Sequence, residues 1–311
     1  MKNNKNTINK NTVGCSSIHP YFVTGFTDAE GCFYVGVVKS KRVKIGWEVQ
    51  PEFKIELHKK DIRLLLCIQE FFNGVGKISQ KGDKVIFRVR SIKELKVVIS
   101  HFEKYPLITQ KWADYELFKS VVGLVESQEH VTEEGFRSVL SIKASVNRGL
   151  SKNLQGNFPD IHLVPRPLVV DQVIKDPNWV AGFTSGEGCF LVDIYKANTN
   201  TGLGVTLRFK LAQHSRDAEL MKSLEEYLGC GNYYSKSNAD LGEYIVARFS
   251  DLSEKIIPFF EQYPLQGIKT LDYADFKRAA DLMVKKAHLT DEGVEKIRLI
   301  KSGMNREREL N

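Results

Sequence analysis

Chemistry can be argued first from Glu30 and Glu187, which stand in matching surroundings 157 positions apart. Gly25-Phe26-Thr27 precedes and Gly31-Cys32-Phe33 follows the first, and Gly182-Phe183-Thr184 and Gly188-Cys189-Phe190 flank the second. Pro20 suits the start of a helix and Gly31 the position just past its end, so the spacing predicts a helix over 21–29 that terminates at an acid. A helix carboxyl end already carries unpaired carbonyl oxygens and the negative pole of the macrodipole, and a glutamate there is unfavourable without a cation. Gly25 and Ala29 lie four residues apart on one face, as do Gly182 and Gly186, and small residues let two backbones approach closely. Packed along that face, the two helices would set both acids side by side. Carboxylates with backbone carbonyls, and no thiolate or histidine pair, describe a site for a hard cation of the Mg²⁺ type. Paired sites of this kind hydrolyse phosphodiesters by activating a water and stabilising the leaving oxygen.

The recurrence extends beyond these helices. Tyr105-Pro106-Leu107 with Lys111, Asp114, Tyr115, Phe118 and Lys119 returns as Tyr263-Pro264-Leu265 with Lys269, Asp272, Tyr273, Phe276 and Lys277. A third block pairs His130, Thr132, Glu134, Gly135, Lys143, Asn147 and Arg148 with His288, Thr290, Glu292, Gly293, Lys301, Asn305 and Arg306. Three collinear blocks make the chain two copies of one unit, expected over 19–150 and 177–308. Residues 151–176, with Pro159, Pro165 and Pro167, read as a linker, and residues 1–18 as a polar, disordered tail. Two copies with a long period imply a pseudo-two-fold pair, in which one chain imitates a symmetric homodimer.

Within a copy, positions 32–39 and 47–57 read as strands, the second with Val49, Phe53, Ile55 and Leu57 alternating with Glu48, Gln50, Lys54 and Glu56. A helix is expected over 61–72, then strands over 76–80 and 85–90, then helices over 112–126 and 132–148. The second copy gives a helix over 217–228 and strands over 231–235 and 244–249. Each copy is therefore an α+β unit, with helices behind a four-stranded, mostly antiparallel sheet whose other face is polar.

Composition narrows the class. With 311 residues, 42% hydrophobic and 27% charged, the chain can bury two cores, and no apolar run reaches the length of a membrane span. Five cysteines without a C-x-x-C pair indicate neither a disulfide framework nor a zinc site. A net charge of +7 fits a polyanionic partner. The amino terminus lacks the features of a targeting peptide.

The segments Thr24–Gly31 and Ala181–Gly188 resemble the LAGLIDADG motif at both small residues and at the acid, and the resemblance covers nearly the whole chain. It is similar to the single-chain, fungal mitochondrial intron-encoded members of that family of homing endonucleases. The resemblance implies a saddle of two αββαββα halves, joined through the motif helices, with the sheets in the DNA major groove. It implies Mg²⁺ as cofactor, with Mn²⁺ or Ca²⁺ able to substitute in binding, held by Glu30 and Glu187 with the carbonyls of Ala29 and Gly186. Lys111 and Lys269 correspond to lysines near the scissile phosphates, and Gln213 to a water-ordering glutamine. Leu57, beside His58, stands at the glutamine's place in the first half, and Ser185 stands where the first half has Asp28, so unequal cutting of the two strands is expected. A monomer acting on double-stranded DNA in the mitochondrion follows from the same resemblance. Its alternative, known for some members, is a splicing maturase bound to intron RNA.

A two-stranded ribbon fits the major groove, and strands of this length at ~3.3 Å per residue span roughly one duplex turn per half, giving an asymmetric target of about 20 base pairs. Candidate DNA contacts on the polar faces and their loops are Lys39, Lys41, Arg42, Lys44, Gln50, Lys54, Lys77, Gln80, Arg88 and Arg90 in the first half. In the second they are Lys196, Asn198, Arg208, Lys210, Tyr234, Lys236 and Arg248.

Overall fold

The computed structural model describes residues 17–236, 239–305 and 308. The first half runs α1 (Pro20–Glu30), β1 (Gly31–Lys39), β2 (Trp47–His58), α2 (Ile62–Phe71), β3 (Lys77–Lys81), β4 (Lys84–Val89), α3 (Ile92–Lys104), α4 (Lys111–Glu126) and α5 (Glu133–Ser145). A short helix α6 (Lys152–Asn157) interrupts the expected linker. The order then repeats as α7 (Pro177–Glu187), β5 (Gly188–Lys196), β6 (Leu203–His214), α8 (Ala218–Leu228), β7 (Asn232–Ser235) and β8 (Leu241–Val246). Helices α9 (Phe249–Asp251) and α10 (Ile257–Gln262), separated by a π-helical stretch Leu252–Ile256, precede α11 (Lys269–Val284) and α12 (Asp291–Ser302).

Each half has one four-stranded sheet, β1-β2-β4-β3 or β5-β6-β8-β7, and every pairing is antiparallel. The alternation expected of β2 holds: Val49, Phe53 and Ile55 are buried while Gln50 is exposed. Pro51 is tolerated in mid-strand because β4 pairs with β2 only from Phe53 onward, leaving the proline a neighbour on one side alone. The apolar faces pack on the helices in two cores. Ala181 of α7 joins the first core, and Ile108 joins the second, so each half lends a residue to the other.

Several expectations need correction. Helix α3 went unread, although Ser91, whose hydroxyl accepts from Glu94 N at 3.3 Å, with a glutamate three residues on, is a start signal. The strand expected over 244–249 occupies Leu241–Val246, and Arg248 is instead the cap of α9. The helix expected to 148 stops at Ser145, because Val146 turns extended and Asn147 takes φ +52°, sending its amide to Phe33 O at 2.7 Å. Gly31 ends α1 without a left-handed conformation: its φ is −71°, and glycine is needed because a Cβ would strike the Thr27 side chain. The tail expected over 1–18 falls outside the described residues except for its last two positions, of which Ile18 is buried in the first core. Cys32, Cys189 and Cys230 are free thiols, and Cys67 is disulfide-bonded, which the odd cysteine count did not announce.

The halves meet along α1 and α7. A Cβ on Gly25 would fall on the carbonyl of Trp179, one on Gly182 on the carbonyl of Phe22, and one on Gly186 at 2.5 Å from the Ala29 Cβ. The two backbones therefore touch along the small-residue faces. Phe22 stacks on Phe26 and Trp179 on Phe183 along the same helices.

Candidate active site and nucleic-acid interface

Because α1 and α7 touch through Gly186 and Ala29, their carboxyl ends emerge together. The Glu30 side chain lies against Gly186: a Cβ there would sit 3.0 Å from its Cγ and 3.4 Å from its Oε1. Both acids are half-buried. Burial raises the Glu30 carboxyl against the pull of Lys111. Burial and then the neighbouring Glu30 push Glu187 up to about 7, opposed by Lys111 and Lys269. Two half-buried carboxyls that both resist ionising, one of them against its neighbour's charge, form a site that a cation would relieve. Among the described residues no three His, Cys, Asp or Glu side chains converge, so a bound ion would draw its remaining ligands from main-chain oxygens and water. That donor set suits a hard divalent cation.

The two lysines are placed differently. Lys111, at the start of α4, extends its ammonium to Thr27 O at 2.9 Å and Ala29 O at 3.0 Å. It already supplies positive charge to the last turn of α1, including the carbonyl expected to ligate metal. Burial holds its ammonium below the ordinary lysine range, against the pull of Asp28, Glu30 and Glu187. Lys269, at the start of α11, instead lines a cleft of about 510 Å³ with Glu30, Glu56, Leu57, His58, Asp61, Asp83, Lys84, Ser185, Gly186 and Ile268. This cleft is composite, with a strand end from one half and a lysine from the other.

Gln213 sits near the end of β6 opposite Gly242, and Leu57 holds the matching place in β2 opposite Val85. Leu57 lines the cleft beside Glu30, while the Gln213 Oε1 accepts from His214 N at 2.9 Å. Asp28 does not share the acids' site. Its buried carboxyl accepts from Ile108 N (3.1 Å), Thr109 N (3.3 Å), Thr109 Oγ1 (2.5 Å) and, across the interface, Trp179 Nε1 (2.8 Å). Burial raises it to about 6 despite these donors. Ser185, its counterpart, makes a slighter tie, accepting from Gln266 N at 3.1 Å. Asp28 thus fixes the segment leading into α4 and Lys111.

Reading the repeat missed Asp61 and Asp217, taken merely as helix starts. Both occupy the cap position of their own helix, yet neither makes a side-chain cap bond there. Asp61 Oδ1 accepts from Ile268 N at 2.7 Å, and Asp217 Oδ1 from Gln110 N at 2.7 Å, in each case across the two halves. Their recurrence four residues past Leu57 and Gln213 was the available signal.

The polar faces carry the expected cations. In the first half, strand register places Lys54, Arg88 and Lys77 in one row across the sheet. Lys54 lies 5.8 Å from the Tyr34 ring centre and Lys39 5.3 Å from that of Trp47. Gln50 and Gln80 are exposed, and Lys41, Arg42 and Lys44 occupy the β1–β2 turn. Many of these charges already have partners: Arg88 and Arg90 meet the buried Glu52, Arg208 meets Asp193 at 2.5 Å, and Lys210 and Lys236 meet Glu243 at 3.1 Å. Tyr234 is 53% exposed on β7, and Lys196 and Asn198 lie at the β5–β6 turn. Arg248 lies beyond its sheet, 3.9 Å from Asp251.

Two sheets of this order joined through glycine-faced helices that end in acids define a two-motif LAGLIDADG fold, and comparison with known proteins agrees. The model of the LAGLIDADG endonuclease family matches residues 23–122 and 180–280, and the chain belongs to that family. It is 43% identical over 302 residues to "Probable intron-encoded endonuclease 2" of Neurospora crassa, covering 93% of this chain and 66% of that protein. It is 38% identical to "Probable intron-encoded endonuclease 3" of the same fungus, covering 91% of this chain and 54% of that one. The chain thus spans between half and two thirds of these curated relatives. The LAGLIDADG homing endonuclease I-SmaMI bound to cleaved DNA superposes with TM-score 0.92 at 43% identity, covering 94% of this chain and 98% of that one. I-SmaMI with an uncleaved DNA target in the presence of calcium ions gives 0.90 at 43% identity, covering 92% and 99%.

Proposed function

We propose that this chain is a site-specific DNA endonuclease that makes a double-strand break in a long, asymmetric target and so promotes mobility of the intron encoding it. The observation that carries this reading is the meeting of Glu30 and Glu187 at the joined ends of α1 and α7. A DNA partner is supported by the basic row Lys54, Arg88 and Lys77 across the first sheet and by the DNA-bound I-SmaMI structures. Mg²⁺ would be held by Glu30 and Glu187 with the carbonyls of Ala29 and Gly186, and when bound it would supply Lewis acidity at the phosphate and an activated water. Lys111 and Lys269 place positive charge beside the acids, where it would stabilise charge developing on the transferring phosphate. Gln213 offers an amide that can orient a water. The polar-face residues named above would hold the duplex, the backbone contacts setting position and the base contacts setting sequence. We assign residues 19–150 and 177–308 to the two halves and 151–176 to the link between them, acting as a monomer. A mitochondrial site of action is supported by the mitochondrial RF1 protein of Saccharomyces cerevisiae, 22% identical over 99% of this chain.

The test is cleavage of a randomised duplex library by the purified protein with Mg²⁺ or with EDTA, beside Glu30→Gln and Glu187→Gln. Metal-dependent cutting at one site of about 20 base pairs, lost in both variants, is the expected result. No cutting, with tight binding to a structured intron RNA, would replace this reading with that of a splicing maturase.

A further inference from the structure

The helices that begin with Lys111 and Lys269 are each tied at the amino end to the opposite half. The residue before Lys269 is Ile268, whose N–H donates to Asp61 Oδ1 at 2.7 Å. The residue before Lys111 is Gln110, whose N–H donates to Asp217 Oδ1 at 2.7 Å. Neither Gln110 nor Ile268 has a side-chain cap of its own. A carboxylate accepting from the cap residue's N–H satisfies a donor the helix cannot, and its charge suits the positive end of the helix. Each aspartate makes this bond in place of a cap bond to its own helix. The backbone is shaped to receive it: Gly267 has φ +69°, and a Cβ there would collide with Asp61 Oδ1. Gln172 adds a second donor to Asp217 Oδ1 at 3.2 Å.

We propose that Asp61 and Asp217 are positioning residues, Asp61 setting Lys269 and Asp217 setting Lys111, so that each strand cut depends on a carboxylate from the opposite half. The inference rests on the endonuclease reading above. Both aspartates follow the strand ends bearing Leu57-His58 and Gln213-His214, as the last residue of a single 3₁₀ turn. A shift of either sheet on its DNA is thereby transmitted to the other half's lysine through one hydrogen bond.

The test uses the full chain and a supercoiled plasmid carrying the duplex selected from the library, with single-turnover rates measured for each strand separately. Lys269→Met and Lys111→Met identify which strand each lysine serves. Asp61→Ala should slow the Lys269 strand by about ten- to hundredfold, as a sub-ångström misplacement of a charged group would, and leave the other strand within about twofold. Gly267→Ala, which disturbs the same contact from the other half, should give the same strand bias. Asp61→Asn, which keeps an oxygen acceptor, should restore most of the rate; Asp217→Ala should mirror the effect on the Lys111 strand. Because Asp61 and Gly267 lie on opposite sides of one contact, their agreement does not depend on the fold of either variant alone. Equal slowing of both strands, bias toward the other strand, or lysine variants without strand preference would overturn the proposal while leaving the nuclease reading intact. A wild-type protein that cuts no duplex would overturn both.

Discussion

The two halves share a topology but are anchored differently around the paired acids. In the first, Asp28 gathers four donors and Lys111 is drawn onto the end of α1 by two carbonyls. In the second, Ser185 receives a single backbone donor from the segment before α11, and Lys269 stands over a cleft. The first half also buries a polar pair, Thr24 Oγ1 and His101 Nε2 at 3.1 Å, where the repeat places Ala181 and Phe259 in the second. One lysine is thus built into its half's structure while the other is held ready at an opening. Pseudo-symmetry guarantees the meeting of the helices, whose glycines are matched, but leaves each half free to diverge once its own packing is satisfied.

The acids are the part of the site that does not diverge, so breaking either should erase the comparison. Glu30→Gln or Glu187→Gln is expected to reduce cutting of both strands by on the order of 10³ or more, measured as single-turnover rates. A variant that abolished one strand only would show that each acid serves a separate centre. The same substitutions remove a half-buried charge beside another of like sign, so the metal-free variants should melt above wild type. A lowered melting temperature would count against the crowding of the two carboxyls.

The lysines sharpen the contrast. Lys111→Met and Lys269→Met should each slow cutting about 10²-fold. Only Lys111→Met should also destabilise the fold, by about 1–3 kcal/mol, because it removes the ammonium from the Ala29 carbonyl and one of the two donors from the Thr27 carbonyl, which keeps the Gly31 N–H. Equal melting temperatures for the two variants would mean that the bonds of Lys111 to α1 carry no stability.

The buried polar pair also makes the first half respond to acid through His101. Burial lowers His101 to about 3, well below its unfolded value of 6.5. A histidine depressed in this way contributes nothing above pH 6.5, where both states are neutral, and loses stability progressively as pH falls below 6.5, since the unfolded chain takes up the proton. At pH 5 the loss is about 2 kcal/mol. Exchanging the pair for that of the second half, Thr24→Ala with His101→Phe, should flatten the fall in melting temperature between pH 7 and 5. An unchanged slope would trace the acid sensitivity elsewhere.

How much of this was legible beforehand follows from which interactions are local. Small residues four apart, Gly25 with Ala29 and Gly182 with Gly186, and a proline at N1 are patterns within one helix, and their duplication pointed to both the interface and the acids. Strand alternation gave the polar faces, since period two is set by the backbone itself. Asp61 and Asp217 were legible as helix caps and were misread, because a cap signal tells which donor type an aspartate seeks but not whose. The partners of Asp28 lie 80, 81 and 151 residues away, and no periodicity encodes such distances. Helix α3 is signalled only by Ser91 and Glu94, just after the mostly apolar strand Lys84–Val89.

The smallest expected difference lies on the DNA faces. The first half presents Lys54, Arg88 and Lys77 in one row, whereas the matching row of the second is Lys210, Ile245 and Asn232. Lys77 has no carboxylate partner among the described residues, whereas Lys210 shares Glu243 with Lys236. A free cation that meets a phosphate releases a counterion, while a paired one must first leave its partner. Lys77→Ala should therefore weaken DNA binding and reduce the slope of log affinity against log salt by about 1, and Lys210→Ala by less. Titrations of the selected duplex at several salt concentrations measure both slopes. Equal decrements would show that the ion pair with Glu243 opens on binding and that the two faces, unlike in sequence, grip the backbone alike.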